Sequence, residues 1–254
     1  MQGINQGSQL GKTARHSAIY AFGTMLSRLT ALVMLPIYTR YLTPADYGVL
    51  ELLQMALEIS GVLIGMRISQ AMFRFYILDD DAESRKTTVS TVLATLLATS
   101  SCGALLLYAA AQPLSVLLFG DADYTYEFRL FAFTLITNSV IAVGQAYLRA
   151  RQMPVLFVTI GALTLALQVA LNVIFVIMMD LHVTGVVYSA LGSGVIVATG
   201  YTLYILGHTG VHYSLAVARR LVAFAAPLVL SSLAMFYVAY ADKYFLRLFN
   251  SLVE

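Results

Sequence analysis

The chain has 254 residues, of which 59% are hydrophobic and only 11% are charged. Because a soluble domain is about 45–50% apolar and about 25% charged, 13 acidic and 15 basic residues are too few to cover a water-facing surface of this size. The composition therefore argues against a soluble enzyme. The single cysteine and the net charge of +2 argue against a disulfide scaffold and a nucleic-acid partner.

Long apolar stretches follow a polar tail at residues 1–15. A helix needs about 20 residues to cross a bilayer, whereas a barrel strand needs only about 10 alternating ones. The continuous stretches therefore predict an all-α integral membrane protein with about seven transmembrane helices. The predicted spans cover residues 17–40, 47–72, 87–111, 127–148, 154–179, 183–206 and 220–246.

The basic residues between the spans predict the orientation, because cytoplasmic loops are rich in lysine and arginine. With a cytoplasmic N-terminus, the inner side holds Lys12, Arg15, Arg74, Arg85, Lys86, Arg149, Arg151, Arg219 and Arg220. The outer side holds only Arg40, Arg129, Lys243 and Arg247. We therefore expect a multi-pass protein of the cell (inner or plasma) membrane with its N-terminus inside.

Two charged residues are predicted near the middle of the membrane. Arg28 and Glu58 each lie about 11 residues into their spans at 1.5 Å per residue, and these spans start from opposite sides. A charge in hydrocarbon costs at least ~2.5–3.5 kcal/mol. The two residues either form a structural ion pair between helices or contribute to a substrate or proton path.

Amide side chains mark further candidate cavity positions. They occur at helical spacing beside small and hydroxylated residues, which also mediate ordinary helix packing in lipid. We expect the threonine stripe of the third span to be packing, and we leave the amides open between packing and cavity lining. The predicted cavity residues, with the two charges, are Arg28, Gln54, Glu58, Asn138, Gln168 and Asn172.

Arg67 and Arg74 lie at the cytoplasmic end of the second span. They either contact phosphate at the inner leaflet or extend toward lipid headgroups without a specific ligand. His208 and His212 are four residues apart, but no carboxylate or cysteine follows at a ligand spacing. We therefore expect no metal site, no cofactor and no enzymatic activity.

The most specific motif of the sequence is the turn Arg-Tyr-Leu-x-Pro-x-x-Tyr-Gly at residues 40–48. This turn resembles that of the polysaccharide (oligosaccharide) flippases of the multidrug/oligosaccharidyl-lipid/polysaccharide exporter superfamily. The segments at 69–76, 148–152, 171–176, 224–229 and 241–246 resemble further helix ends of the same family. The similarity covers residues 14 to 250.

The resemblance implies 12 to 14 helices in two lobes that move lipid-linked sugar from the inner to the outer leaflet by alternating access. It implies a six-helix N-terminal lobe at 16–219 and, at 220–254, a seventh helix that opens a truncated second lobe. In a related branch, a Ser-Arg pair of the first helix lines the cavity and is tied to lipid diphosphate, and Ser27-Arg28 stands at a similar place. The expected partners are an undecaprenyl-diphosphate-type glycan carrier, membrane lipids and a missing C-terminal lobe.

Two alternatives remain. A cationic drug exporter of the same superfamily would favour acids and aromatic residues in its cavity, which the predicted position of Arg28 opposes. A seven-helix receptor or a non-transporting membrane subunit would belong to another class, although such receptors usually have an external N-terminus, against the distribution of the bases.

Overall fold

The structure, a computed structural model, describes residues 18–23, 25, 32–64, 68–79, 81–120 and 122–250, with side chains described through Val238. Arg28 and Arg67 lie outside these ranges, and so does part of the first predicted span. Nothing in the described ranges is a strand, and the prediction of an all-α membrane protein is confirmed.

Residues 18–23 and 32–41 are helical, and we label the second of these segments α1. The following helices are α2 Pro44–Ile64, α3 Ile68–Leu78, α4 Ala82–Ala109, α5 Ala111–Phe119, α6 Thr125–Ala150, α7 Pro154–Asn172, α8 His182–Thr209 and α9 Leu215–Asn250. A π-helix, Val173–Met178, extends α7. Within the described ranges, six segments are long and apolar enough to cross a membrane.

Some boundaries differ from the predicted ones. The predicted second span, 47–72, corresponds to α2 and α3, which are separated by residues outside the described ranges. About half of the interval between the predicted spans 87–111 and 127–148 is occupied by α5, which Gly120 ends in a left-handed conformation with φ 87°. This helix of 9 residues is too short to cross a bilayer, and for that reason it was not predicted as a span.

Local capping explains why α2 begins where it does. The Thr43 hydroxyl accepts a hydrogen bond from the Asp46 backbone N–H at 3.2 Å, and the Asp46 carboxylate accepts one from the Thr43 backbone N–H at 2.8 Å. This reciprocal capping box satisfies two of the donors that a helix start leaves free. Pro44 fits the first helical position because it lacks the N–H that would otherwise be unpaired.

The core is centred on α6, which packs against α2, α3, α4 and α8. Its Val143 and Leu148 are fully buried, as are Leu96 of α4 and Ile205 of α8. Gly144 leaves room for a side chain of α8, because a Cβ at this position would lie 2.1 Å from the ring of Tyr201.

Nine buried or half-buried hydroxyl groups are satisfied within their own helix. Each donates to the carbonyl four residues earlier, which leaves no donor unpaired in an apolar environment. These residues are Ser60, Ser100, Ser139, Thr164, Ser189, Ser193, Thr202, Thr209 and Ser232. In the threonine stripe of α4, Thr88 and Thr91 are buried, and Thr91 accepts from the Ser214 backbone N–H at 3.1 Å.

Candidate functional site

A cleft of about 470 Å³ opens among α1, α2, α6, α7 and α8. Its polar side chains are amides and hydroxyls, and aromatic and aliphatic groups fill the space between them. None of its described lining residues carries a charge. The polar lining comprises Tyr38, Gln54, Gln145, Thr164, Gln168 and Tyr201, and the apolar lining includes Met34, Leu50, Phe131, Ile141, Phe157 and Ile160.

Helical periodicity explains how these side chains converge. On α7, Gly161, Thr164 and Gln168 are three or four residues apart and line the cleft together. On α2, Leu50 and Gln54 do the same. The lining residues of α7 and those of α2 therefore form two walls of the same cleft. Their spacing in the sequence could not show that the two walls face each other.

Asn172 continues the α7 stripe but is fully buried. Its carbonyl oxygen accepts a hydrogen bond from the Tyr38 hydroxyl at 3.0 Å, and its amide nitrogen donates to the Gln168 carbonyl at 2.8 Å. Asn172 therefore ties α1 to α7 at the edge of the cleft. These two contacts are those of a packing residue, and a role of Asn172 in lining the cavity stays a prediction.

Glu58 and Asn138 are exposed and are not among the described lining residues. Glu58 lies one turn beyond Gln54 and shares its face of α2. Asn138 lies seven residues from both Phe131 and Gln145, which places it on their face of α6. Both residues are thus directed to the same side of their helices as the cleft.

The predicted arginines are not brought into the cleft by the described part of the chain. Arg28 and Arg67 fall outside the described residues. Arg74 is exposed, and its guanidinium lies 4.6 Å from the ring centre of Phe224 in α9. This contact joins α3 to α9, away from the amide side chains.

Tyr38, Gln145 and Tyr201 line the cleft but were not predicted as site residues. Gln145 lies seven residues after Asn138, a predicted cavity residue, and shares its face of the helix, so its spacing carried a usable signal. Tyr38 and Tyr201 gave none, because tyrosine in a membrane helix is equally suited to packing or to the interface.

The chemistry available in this cleft is recognition. Amide groups both donate and accept hydrogen bonds, and aromatic faces cover apolar surface. No group of three or more possible metal-ligating side chains occurs in the described ranges. The His208 ring instead packs on Tyr204, with 4.4 Å between ring centres, and its Nδ1 lies 2.8 Å from the Tyr204 carbonyl.

The model of a family described as polysaccharide biosynthesis protein matches residues 13–254. The chain belongs to this family. No curated protein matches the sequence significantly.

Solved structures share the fold. A transporter of the MOP superfamily from Pyrococcus furiosus, whose binding pocket is described as having reverse polarity, superposes with a TM-score of 0.72 at 17% identity. The match covers 90% of this chain and 54% of that one. MATE in complex with Br-NRF superposes with a TM-score of 0.70 at 18% identity, and the match covers 90% of this chain and 56% of that one. MATE in complex with MaD3S superposes with a TM-score of 0.72 at 17% identity, and the match covers 90% of this chain and 55% of that one. The chain thus spans a little over half the length of these structures and shares their fold over that part.

Proposed function

We propose that this protein translocates lipid-linked oligosaccharide or polysaccharide units from the inner to the outer leaflet of the cell membrane by alternating access. The observation that carries the proposal is the cleft at the junction of five helices, whose described polar lining is made of amides and hydroxyls. Sugar hydroxyls both donate and accept hydrogen bonds, and they are matched by groups that do the same. Membership of the polysaccharide biosynthesis family supports this choice of substrate.

Within this proposal the cleft holds the glycan, and charged residues hold the lipid diphosphate. Gln54, Asn138 and Gln168 meet sugar hydroxyls. Arg28 holds the diphosphate through charge-assisted hydrogen bonds. Asn172 acts indirectly, because its side chain is already engaged by Tyr38 and Gln168.

Three further residues complete the proposed site. Arg67 and Arg74 meet phosphate at the inner leaflet. Glu58, which lies on the cleft side of α2, is the carboxylate that couples transport to protons. The expected carrier lipid is of the undecaprenyl-diphosphate type, and a C-terminal lobe is expected to close the other side of the cleft.

The second candidate function is export of cationic drugs, which the fold shared with MATE proteins favours. A cation bound in a low-dielectric cleft needs a carboxylate or several π faces near it. Phe131, Phe157, Tyr38 and Tyr201 supply aromatic faces, but the described lining contains no acid. The chemistry of the cleft therefore fits neutral sugars better than organic cations.

Export in cells that lack their own glycan flippase tests the proposal. We expect the double variant Gln54→Leu, Gln168→Leu to reduce glycan export roughly 5- to 150-fold, because two lost hydrogen bonds at ~0.5–1.5 kcal/mol each amount to ~1–3 kcal/mol. Gln112→Leu is the matched control, because Gln112 is an exposed residue of α5 away from the cleft. Both proteins must reach wild-type abundance in the membrane.

The same cells, challenged with organic cations, separate the two functions. Glycan export that depends on Gln54 and Gln168, without increased resistance to the cations, supports the flippase. Resistance to cations without any rescue of glycan export would establish the drug exporter instead.

A further inference from the structure

A group of tyrosines and arginines lies apart from the cleft, where α3, α4, α6 and α8 meet. We call it the Tyr-Arg cluster and define it as Tyr76, Arg85, Tyr147, Arg151 and Tyr204. The rings of Tyr76 and Tyr147 are 6.2 Å apart edge to face, and those of Tyr147 and Tyr204 are 6.3 Å apart. Three helices thus contribute one ring each to a continuous aromatic row.

A guanidinium group lies over each of two rings in this row. Arg85 is 5.4 Å from the ring centre of Tyr76, and Arg151 is 5.6 Å from that of Tyr147. Arg151 also donates to the Tyr147 hydroxyl at 3.3 Å, and Arg85 Nε donates to the Asp79 carbonyl at 2.6 Å. These contacts fix both guanidiniums but use only part of their five N–H groups.

Neither arginine has an acidic partner in the described part of the chain. The nearby ion pair joins Lys86 to Glu83 at 2.6 Å, and the one at the other end of the bundle joins His182 to Asp180. The Asp79 carboxylate accepts instead from the Ser84 and Thr88 hydroxyls. The cluster therefore presents two guanidinium groups with unused donors, which are held by rings and form no salt bridge with an acid among the described residues.

The position of the cluster at one end of the helix bundle indicates which kind of anion it can bind. Arg85 lies in the first turn of α4, and Arg151 follows the last turn of α6, so both stand at the same end of the bundle. Arg151 is exposed and Arg85 half-buried. At the end of a membrane span, the anions within reach are lipid phosphates, and arginine binds phosphate through paired N–H groups.

We propose that the Tyr-Arg cluster is a binding site for the phosphate of a lipid headgroup. Arg85 and Arg151 bind the phosphate oxygens, and the tyrosine row holds the two guanidiniums in place. Two lipids can supply this phosphate: an anionic phospholipid of the surrounding leaflet, and the diphosphate carrier lipid of the proposed transport. Only the second source depends on the proposed function.

Purified protein in neutral phosphatidylcholine provides the test. One arm adds short-chain phosphatidylglycerol, and the other adds a short polyprenyl diphosphate, with bound lipid counted by native mass spectrometry. We expect Arg85→Gln, Arg151→Gln to weaken binding at least tenfold in one arm or in both. The arm that responds identifies the source of the phosphate.

Arg220→Gln is the charge-matched control. Arg220 is an exposed residue of α9, and no ring or acid holds it in the described structure. We expect this variant to retain wild-type binding within about twofold. Arg85→Lys, Arg151→Lys keeps both charges but loses the planar forks, and we expect intermediate binding.

Two results would overturn the proposal. Equal loss in Arg220→Gln and in a single cluster variant, Arg151→Gln, would show attraction by net charge without a site. Undiminished binding of both lipids by the double glutamine variant would show that the cluster does not hold phosphate. The unfolding temperature of each variant is measured alongside, and Arg151→Gln replaces the double variant if the latter does not fold.

Discussion

The hydrogen bond between Tyr38 and Asn172 shows how Asn172 can hold a lining residue of the cleft in place without lining the cleft itself. It joins α1 to α7 over a separation of 134 residues. Interhelical hydrogen bonds within membranes average about 0.6 kcal/mol and reach about 1.7 kcal/mol. Because Asn172 is fully buried, its carbonyl oxygen has no solvent to replace a lost donor.

We therefore expect Tyr38→Phe to lower the free energy of unfolding by about 0.6–1.7 kcal/mol. Thermal unfolding of the purified protein in detergent measures this change. Tyr237→Phe is the control, because Tyr237 is 71% exposed on α9 and should tolerate the change. Asn172→Leu in the Tyr38→Phe background should cost less than it does alone, and strict additivity would contradict a direct coupling.

At the scale of single residues, the sequence indicated the amides as candidate cavity residues but could not show what each of them contacts. Gln54, Gln168 and Asn172 stood out because amides are rare and expensive in a membrane helix. Their spacing could not show that Asn172 faces Tyr38 while Gln168 faces the cleft, because that depends on how α1 packs against α7. Arg28 stays a prediction, since it lies outside the described residues.

At the scale of helices, the approach of α6 to α8 positions one wall of the cleft. Tyr201 packs over Gly144, where an added Cβ would meet the ring at 2.1 Å. This ring is 3% exposed and is held among the core residues, so it cannot move aside freely. The space left by one glycine thus determines where a lining side chain of α8 lies.

We expect Gly144→Ala to destabilise the protein by about 1–3 kcal/mol through overpacking. It should also reduce transport, because the Tyr201 ring must move toward the cleft. Gly200→Ala is the matched control on the neighbouring position of α8, since a Cβ there meets nothing within 4 Å. In that open position alanine should stabilise the helix by about 0.5–1 kcal/mol.

Thermal unfolding and glycan export of both alanine variants provide the measurement. A Gly144→Ala protein with wild-type stability and export would contradict the close packing of α6 on α8.

The long helices were predictable from length and hydropathy, with boundaries within a few residues for α6 and α8. The π-helix was not, because Val173–Met178 has the same apolar composition as the α-helix before it. Its wider turn depends on tertiary packing, in which the Phe175 carbonyl meets Gly185 so closely that a Cβ there would lie 2.9 Å away. Composition does not reveal such a contact.

At the scale of the whole molecule, the ends of the bundle differ in their number of arginines. Arg85, Arg149 and Arg151 lie at one end, and the loop after α5 lies at the other. The orientation predicted from the bases places the arginine end in the cytoplasm. This is also the end that holds the Tyr-Arg cluster.

Single cysteines at Ala82 and Ala122 test the orientation, because both positions are exposed. Cys102 is exposed as well and is first changed to serine. In intact cells, an impermeant thiol reagent should label the cysteine at 122 and not the one at 82. Labelling at 82 alone would reverse the orientation, and permeabilised cells provide the control for reactivity.

The way polar groups are satisfied also bears on how the chain enters the membrane during synthesis. Nine buried or half-buried hydroxyls bond within their own helices, so these groups are already paired when each helix leaves the insertion machinery. The Asn172 carbonyl oxygen instead depends on a hydroxyl from another helix. Tyr38 precedes Asn172 by 134 residues, so α1 is synthesised and inserted before α7. The hydroxyl that pairs with Asn172 is therefore already in the bilayer when α7 enters it.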